Sequence, residues 1–144
     1  MSFTDTELEY LSSQPLGRLA TAQPDGTLQA NPVGFRYNAA TGTIDIAGHG
    51  MARSRKFRNV AANGQAAFVV DDLASVQPWR PRCVEIRGHA EAITEPTDSA
   101  WGTGAPPGFD GAIIRIHPRR IISFGIDETD QDVRQFRINR RTVG

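Results

Sequence analysis

The chain has 144 residues, 39% of them hydrophobic, and 16 Lys+Arg balanced by 16 Asp+Glu for a formal net charge of zero. That length fits a single domain, 1–144, able to bury roughly two-thirds of the surface of its unfolded chain. Balanced charge excludes a global pull toward nucleic acid or an anionic membrane, and no apolar run nears the ~18 residues of a membrane span.

In chain order, Thr4 with Glu7 forms a capping-box pattern that starts a helix running to about Ser13, with Leu8 and Leu11 on one face and Pro15 as its stop. Leu16 to Ala22 reads as a strand, and Pro24-Asp25-Gly26 as a tight turn. Thr27 to Tyr37 is a longer strand whose inner part, Ala30-Asn31-Pro32-Val33-Gly34-Phe35, is unusual. Proline removes a ladder donor, and glycine marks a bulge or a close backbone approach. After a turn at Asn38 to Gly42, Thr43 to Ala47 alternates as a half-buried strand does.

Gly48-His49-Gly50 breaks the sheet, and a helix is expected from Ala52 to Asn63, with Phe57, Val60 and Ala61 at helical spacing and Asn63-Gly64 as its C-cap. Ala66 to Val70 reads as a short strand. Cys83 to Ile93 reads as another, with Val84, Ile86 and Ala90 facing inward. Glu95 to Asp110, rich in Pro and Gly, reads as a surface loop. Ala112 to Ile116 and Ile121 to Phe124 are the last expected strands, with His117-Pro118-Arg119-Arg120 bending the chain between them. Residues 127–144 form a charged tail. Six or seven strands near hairpin distance with two short helices favour a mainly β antiparallel barrel over a parallel sheet.

Met1 to Asp5 shows no charged segment leading into an apolar stretch, and the single Cys83 cannot close an internal disulfide, so a reducing cytoplasm is the expected compartment. The histidines and the cysteine show no metal-ligand spacing.

The densest chemical signal is Ala52-Arg53-Ser54-Arg55-Lys56-Phe57-Arg58-Asn59. It sets four cations in the opening turns of the expected helix, where the dipole disfavours each by about 0.3–1 kcal/mol. Arg53 and Lys56, like Arg55 and Arg58, are also like-charge pairs three residues apart. A bound phosphate reverses that sign, because helix N-terminal amides and cations both favour an anion. Gly48 and Gly50 lead into the cluster and let backbone approach a ligand, though neither a Walker A loop nor a dinucleotide-binding glycine pattern is present. The simpler reading of the cluster is a solvated basic face.

Taken together, Leu16-Gly17-Arg18-Leu19-Ala20-Thr21, Asp25-Gly26, Asn31-Pro32-Val33, Ser54-Arg55-Lys56, Asn59-Val60 and Val84-Glu85-Ile86-Arg87-Gly88-His89-Ala90-Glu91 resemble the pyridoxamine-phosphate-oxidase-like split β-barrel superfamily. Val70-Asp71-Asp72 and Pro78-Trp79-Arg80-Pro81-Arg82 are similar to its actinobacterial group that uses coenzyme F420, a deazaflavin. The resemblance implies the FMN-binding split-barrel fold. It assigns the cofactor phosphate to Ser54, Arg55 and Lys56, with Arg53 and Arg58 as helpers. The flavin or deazaflavin ring is assigned to the backbone of Gln29 to Phe35, including Asn31, Pro32, Val33 and Gly34, and to Ala47 and Gly48. It further implies a homodimer with cofactor sites at the interface, reached from the partner chain by Trp79 and Arg82.

The expected function is therefore an F420-dependent oxidoreductase passing a hydride between the deazaflavin and an organic small-molecule substrate. The alternatives are an FMN-dependent oxidoreductase of the same fold or a non-catalytic flavin or F420 carrier or sensor. No side chain stands out as a catalytic acid. The substrate-phosphate residues of true pyridoxamine phosphate oxidases are not recognisable, so pyridoxal phosphate synthesis is not expected. His49 is weighed as a donor to the ring or substrate against a plain turn residue. Asp71-Asp72 reads as a strand-end pair, Cys83 as a small hydrophobe, Trp101 as an anchor for its loop, and Arg140-Arg141 as a solvated terminus rather than a phosphate clamp.

Overall fold

The computed structural model describes residues 2–102, 104–127 and 137–144. Its elements are α1 (Asp5–Ser13), β1 (Leu16–Ala22), β2 (Leu28–Asn38), β3 (Thr43–Ala47), a 3-10 turn (Met51–Arg53), α2 (Arg55–Asn63), β4 (Gln65–Ser75), β5 (Arg80–Ile93), β6 (Ile113–Phe124) and β7 (Asn139–Thr142). The strands order as β3-β2-β1-β4-β5-β6-β7, all antiparallel, and β3 also pairs with β6. Six strands thus close a mainly β antiparallel barrel, and β7 is added on the outer edge of β6.

Alternation explains the barrel. Leu19, Val33, Phe35, Ile44, Ile46, Phe68, Val84, Ile86 and Ile116 all point inward and are buried. Phe35 and Phe68 meet edge to face at 5.1 Å across the core. Phe57 and Val60 bring the apolar side of α2 onto the barrel, while Tyr10 and Leu11 do the same for α1. The capping box of α1 forms as expected: Glu7 N–H donates to Thr4 Oγ1, and Thr4 N–H donates to the Glu7 carboxylate.

Several expectations need correction. The helix expected from Ala52 instead starts at Arg55. Gly50, at φ +53°, opens a 3-10 turn, and Ser54 then caps α2 by accepting from the Phe57 amide at 3.3 Å. The hairpin of β4 and β5 is longer than expected. It reaches Ser75 and Arg80 because Asp71 and Asp72 stay in the ladder opposite Cys83 and Arg82. The acidic pair therefore lies within a strand, not at its end. Asp71 faces Arg18 at 3.4 Å and Asp72 faces Arg82, on opposite sides of the sheet.

The expected bend at His117–Arg120 is a bulge inside one continuous strand. Arg87 pairs with Arg120 and Gly88 with Pro118, so Arg119 is the extra residue that absorbs the proline. Gly88 makes this possible, since a Cβ there would lie 2.1 Å from the His117 carbonyl oxygen.

Part of the expected tail joins the sheet. Asn139–Thr142 pairs with β6, and the Arg141 guanidinium bonds the Glu7 carboxylate and the Ser2 carbonyl, so it is neither a solvated terminus nor a phosphate clamp. Residues 128–136 of that tail lie outside the described residues. Glu7 is 1% exposed. Burial pushes its carboxyl up, but bonds from Arg141, Ser123 and Thr4 outweigh that and hold it below its ordinary range.

Candidate functional site

β2 changes partners at Gly34. It pairs with β1 from Leu28 to Gly34 and with β3 from Gly34 to Asn38, so Gly34 is the residue shared by both ladders. Leu28 to Val33 therefore run on past the end of β3, and their edge on that side has no strand partner among the described residues. Such an edge tolerates Pro32, which has no N–H to leave unpaired. The result is a backbone notch bounded by β2 on one side and by the chain leaving β3 through Ala47 and Gly48 on the other.

That departing chain carries the cations. Arg55 and Lys56 are the first two residues of α2, and Arg58 is the fourth. Arg53 lies in the preceding 3-10 turn, so only Arg55 and Arg58 form a like-charge pair within the helix. Among the described residues none of these four has a carboxylate partner, and the first turn of α2 contains no acidic residue. Ser54 is committed to the fold: its hydroxyl donates to the Met51 carbonyl at 2.7 Å and accepts from Phe57. The Arg58 amide bonds the Ser54 carbonyl at 3.2 Å. The amides of Arg55 and Lys56 remain as first-turn donors with no partner among the described residues. Two amides and the cations around them thus lie at one helix start, a charge and donor set that suits an anion.

Asn59 ties this helix to the notch. It is 1% exposed and donates to Thr21 Oγ1 at 3.1 Å and Gln29 Oε1 at 3.4 Å, locking α2 against β1 and β2. Asn31 and Gly34 are half-buried and Pro32 is exposed, whereas Val33 is buried and offers the notch only its backbone. Ala47 is buried and Gly48 half-buried.

The remaining expected residues lie elsewhere. Trp79 stands 57% exposed in the turn joining β4 and β5. Arg82 is held in its own chain, its Nε donating to Asp72 at 2.8 Å beneath the Tyr10 ring. The Arg82 bond holds Asp72 below its ordinary range, while burial and that carboxylate push the Tyr10 phenol up. Cys83 is buried with its thiol pushed up to about 12 by burial, which suits a packing residue and not a nucleophile.

One element of the site was not apparent from the sequence. Thr43, Asp45 and Ala47 face outward from β3 yet are buried, and Asp45 reaches the 94–111 loop. Its carboxylate, 0% exposed, accepts from Asn38 Nδ2 (2.9 Å), Thr43 Oγ1 (3.0 Å), the Ala100 amide (2.9 Å), and Arg115 Nε (3.0 Å) and Nη2 (3.1 Å). The Asp45 carbonyl takes Trp101 Nε1 at 3.0 Å. Trp101 thus sits against Gly34 at the head of the notch, and Phe109 packs between it and His49. The loop is a pinned wall, with the exposed His49 at its rim.

The model of the pyridoxamine 5'-phosphate oxidase family matches residues 3–125. The chain belongs to that family. Over 127 residues it is 46% identical to the 5a,11a-dehydrotetracycline/5a,11a-dehydrooxytetracycline reductase of Streptomyces rimosus, covering 88% of this chain and 86% of that one. Its fold is shared with the conserved hypothetical protein Rv2991 of Mycobacterium tuberculosis (TM-score 0.69, 21% identity, 100% of this chain and 94% of that one). It is also shared with the FAD binding protein of Mycobacterium smegmatis (TM-score 0.61, 24% identity, 83% and 95%). The barrel is therefore the split barrel of this family. The chain is an oxidoreductase, and the family supports a flavin-type cofactor. Among the described residues no side-chain cluster is placed to hold a metal, and no helix is long and apolar enough to cross a membrane.

Proposed function

We propose that the protein is an F420-dependent reductase that works as a cytoplasmic homodimer, the whole chain serving as one cofactor-binding domain. The observation carrying this reading is the unpartnered edge of β2 lying beside the basic start of α2. The edge offers a planar ring its backbone donors and acceptors. The amides and side chains of Arg55 and Lys56 take a phosphate. Arg53 and Arg58 add charge for the longer anionic chain of F420, which favours it over FMN. When bound, the reduced deazaflavin supplies a hydride to an electron-poor carbon. The protein's part is to orient the ring on β2, neutralise the phosphate and narrow the site with the Trp101 wall, with the balancing proton drawn from solvent. The Streptomyces rimosus relative supports a conjugated ring double bond as the acceptor.

Titration separates the cofactors: F420 is expected to bind at least tenfold tighter than FMN. Tighter binding of FMN overturns the F420 assignment. Tight F420 binding without its oxidation by any enone, quinone or nitro compound favours the carrier or sensor.

The dimer is supported by the outer face of the sheet. Ala30, Ala20 and Ala67 are cross-strand neighbours there, as are Pro32, Arg18 and Val69, and Leu28 beside them is 78% exposed. This alanine-rich surface, bordered by the Arg18–Asp71 ion pair, fits burial against a second copy. Sedimentation is expected to give twice the chain mass, and a monomer at micromolar concentration contradicts the assembly.

A further inference from the structure

We propose that the cleft between α1 and β2 binds a flat, fused-ring organic anion with Arg36 as its counter-charge, and that this is where the body of the substrate rests. The second part depends on the reductase reading above; the first does not.

The cleft follows from the partner change at Gly34. Pro15 delays β1 to Leu16, so among the described residues β2 beyond Gly34 has no strand on its β1 side. α1 crosses that gap without filling it, leaving about 570 Å³ walled by Leu8, Leu11, Phe35 and Tyr37, with Ser12 and Arg36 at the rim. That volume falls in the range of small-molecule sites. Gly34 lies between this cleft and the notch on the opposite edge of the strand, and the Trp101 ring rests against it.

Arg36 gives the cleft its chemical preference. Its guanidinium lies 4.3 Å from the centre of the Trp101 ring, which is itself held by the Asp45 carbonyl. Its cross-strand neighbour Asp45 is already saturated by Arg115 and the loop, and among the described residues Arg36 pairs with no carboxylate. A stacked cation is pre-oriented, so less freedom is lost when it meets an anion. A small inorganic anion leaves the apolar walls unused, and a neutral hydrocarbon leaves the cation unused. A planar aromatic acid or enolate uses both.

The probe is 1-anilinonaphthalene-8-sulfonate on cofactor-free protein, followed by its fluorescence and by energy transfer from tryptophan. One molecule is expected per chain. Arg36→Met, which keeps the length and apolar stem, is expected to weaken binding at least tenfold while leaving the neutral analogue N-phenyl-1-naphthylamine unaffected. Ser12→Trp, which fills the cleft from an exposed position, is expected to abolish both. Wild-type affinity in both variants overturns the site. With F420-loaded enzyme and dehydrooxytetracycline, Arg36→Met is expected to raise KM at least tenfold with kcat nearly unchanged. An unchanged KM overturns the substrate assignment even if the probe still responds to Arg36. Failure to bind F420 overturns the F420 dependence alone and leaves the probe result standing.

Discussion

Replacing Arg55 and Lys56 together with alanine is expected to weaken cofactor binding by about a hundredfold or more while leaving the barrel folded. Each charge-assisted hydrogen bond to a phosphate is worth roughly 1.5–3 kcal/mol, and about 1.4 kcal/mol is a factor of ten in affinity. Two such contacts already reach the stated loss. The fold has little to lose, because both cations lack carboxylate partners among the described residues and stand at the positive end of α2. Removing them relieves dipole and like-charge repulsion, so the apo-protein is expected to unfold at an equal or slightly higher urea concentration. Fluorescence titration gives the affinity and urea unfolding the stability. Unchanged affinity in a folded double variant rejects the phosphate assignment. The Ser54→Ala variant separates the two roles of the segment. Its hydroxyl is committed to capping, so it is expected to lose about 1 kcal/mol of stability with a smaller change in affinity.

Local signals made part of this molecule legible from sequence. Thr4, Glu7 and Pro15 set the limits of α1, and β1 and β3 lie where alternation between turn residues puts them. The charge cluster pointed to the start of α2, and Pro32 with Gly34 pointed to an unusual strand. What escaped depends on partners distant in sequence. The lengths of β4 and β5 follow from pairing across the hairpin, where Asp72 and Arg82 support each other. The continuity of β6 depends on Gly88, thirty residues away from Pro118 in sequence, admitting the bulge. β3 read as half-buried because its outward residues include Thr43 and Asp45. Its outer face is in fact covered, and all five of its residues are buried. An aspartate in the middle of an apolar strand was the available signal, but beyond the nearby Thr43 and Asn38 its partners are Ala100 and Arg115, and nothing local announces those two.

Asp45 is also where the second large effect is expected. Asp45→Asn keeps the shape but removes the buried charge that compensates Arg115, whose side chain is 8% exposed, and leaves it only the half-exposed Asp98 carboxylate at 3.0 Å. Leaving a buried charge uncompensated costs about 3–5 kcal/mol; with Asp98 still beside Arg115, a loss near the lower end, about 3 kcal/mol, is expected in urea unfolding at pH 7. The pH dependence has a definite sign. Burial pushes the Asp45 carboxyl up, but bonds from Arg115, Asn38, the Ala100 amide and Thr43 outweigh it and leave it below its ordinary value. A depressed carboxylate contributes stability that is fully present above its unfolded value near ~4 and is lost as pH falls through the lower folded value. The gap between wild type and Asp45→Asn is therefore expected to be widest at neutral pH and to narrow below about pH 4. Glu7, shifted in the same direction, keeps part of the acid sensitivity in the variant. The same carboxylate pins Ala100 and so the wall that carries Trp101. In a Trp79→Phe background, loosening that wall is expected to shift Trp101 emission to the red and to raise KM before kcat falls. A variant within about 1 kcal/mol of wild type at pH 7, or a gap that does not change with pH, removes Asp45 as the anchor of the loop.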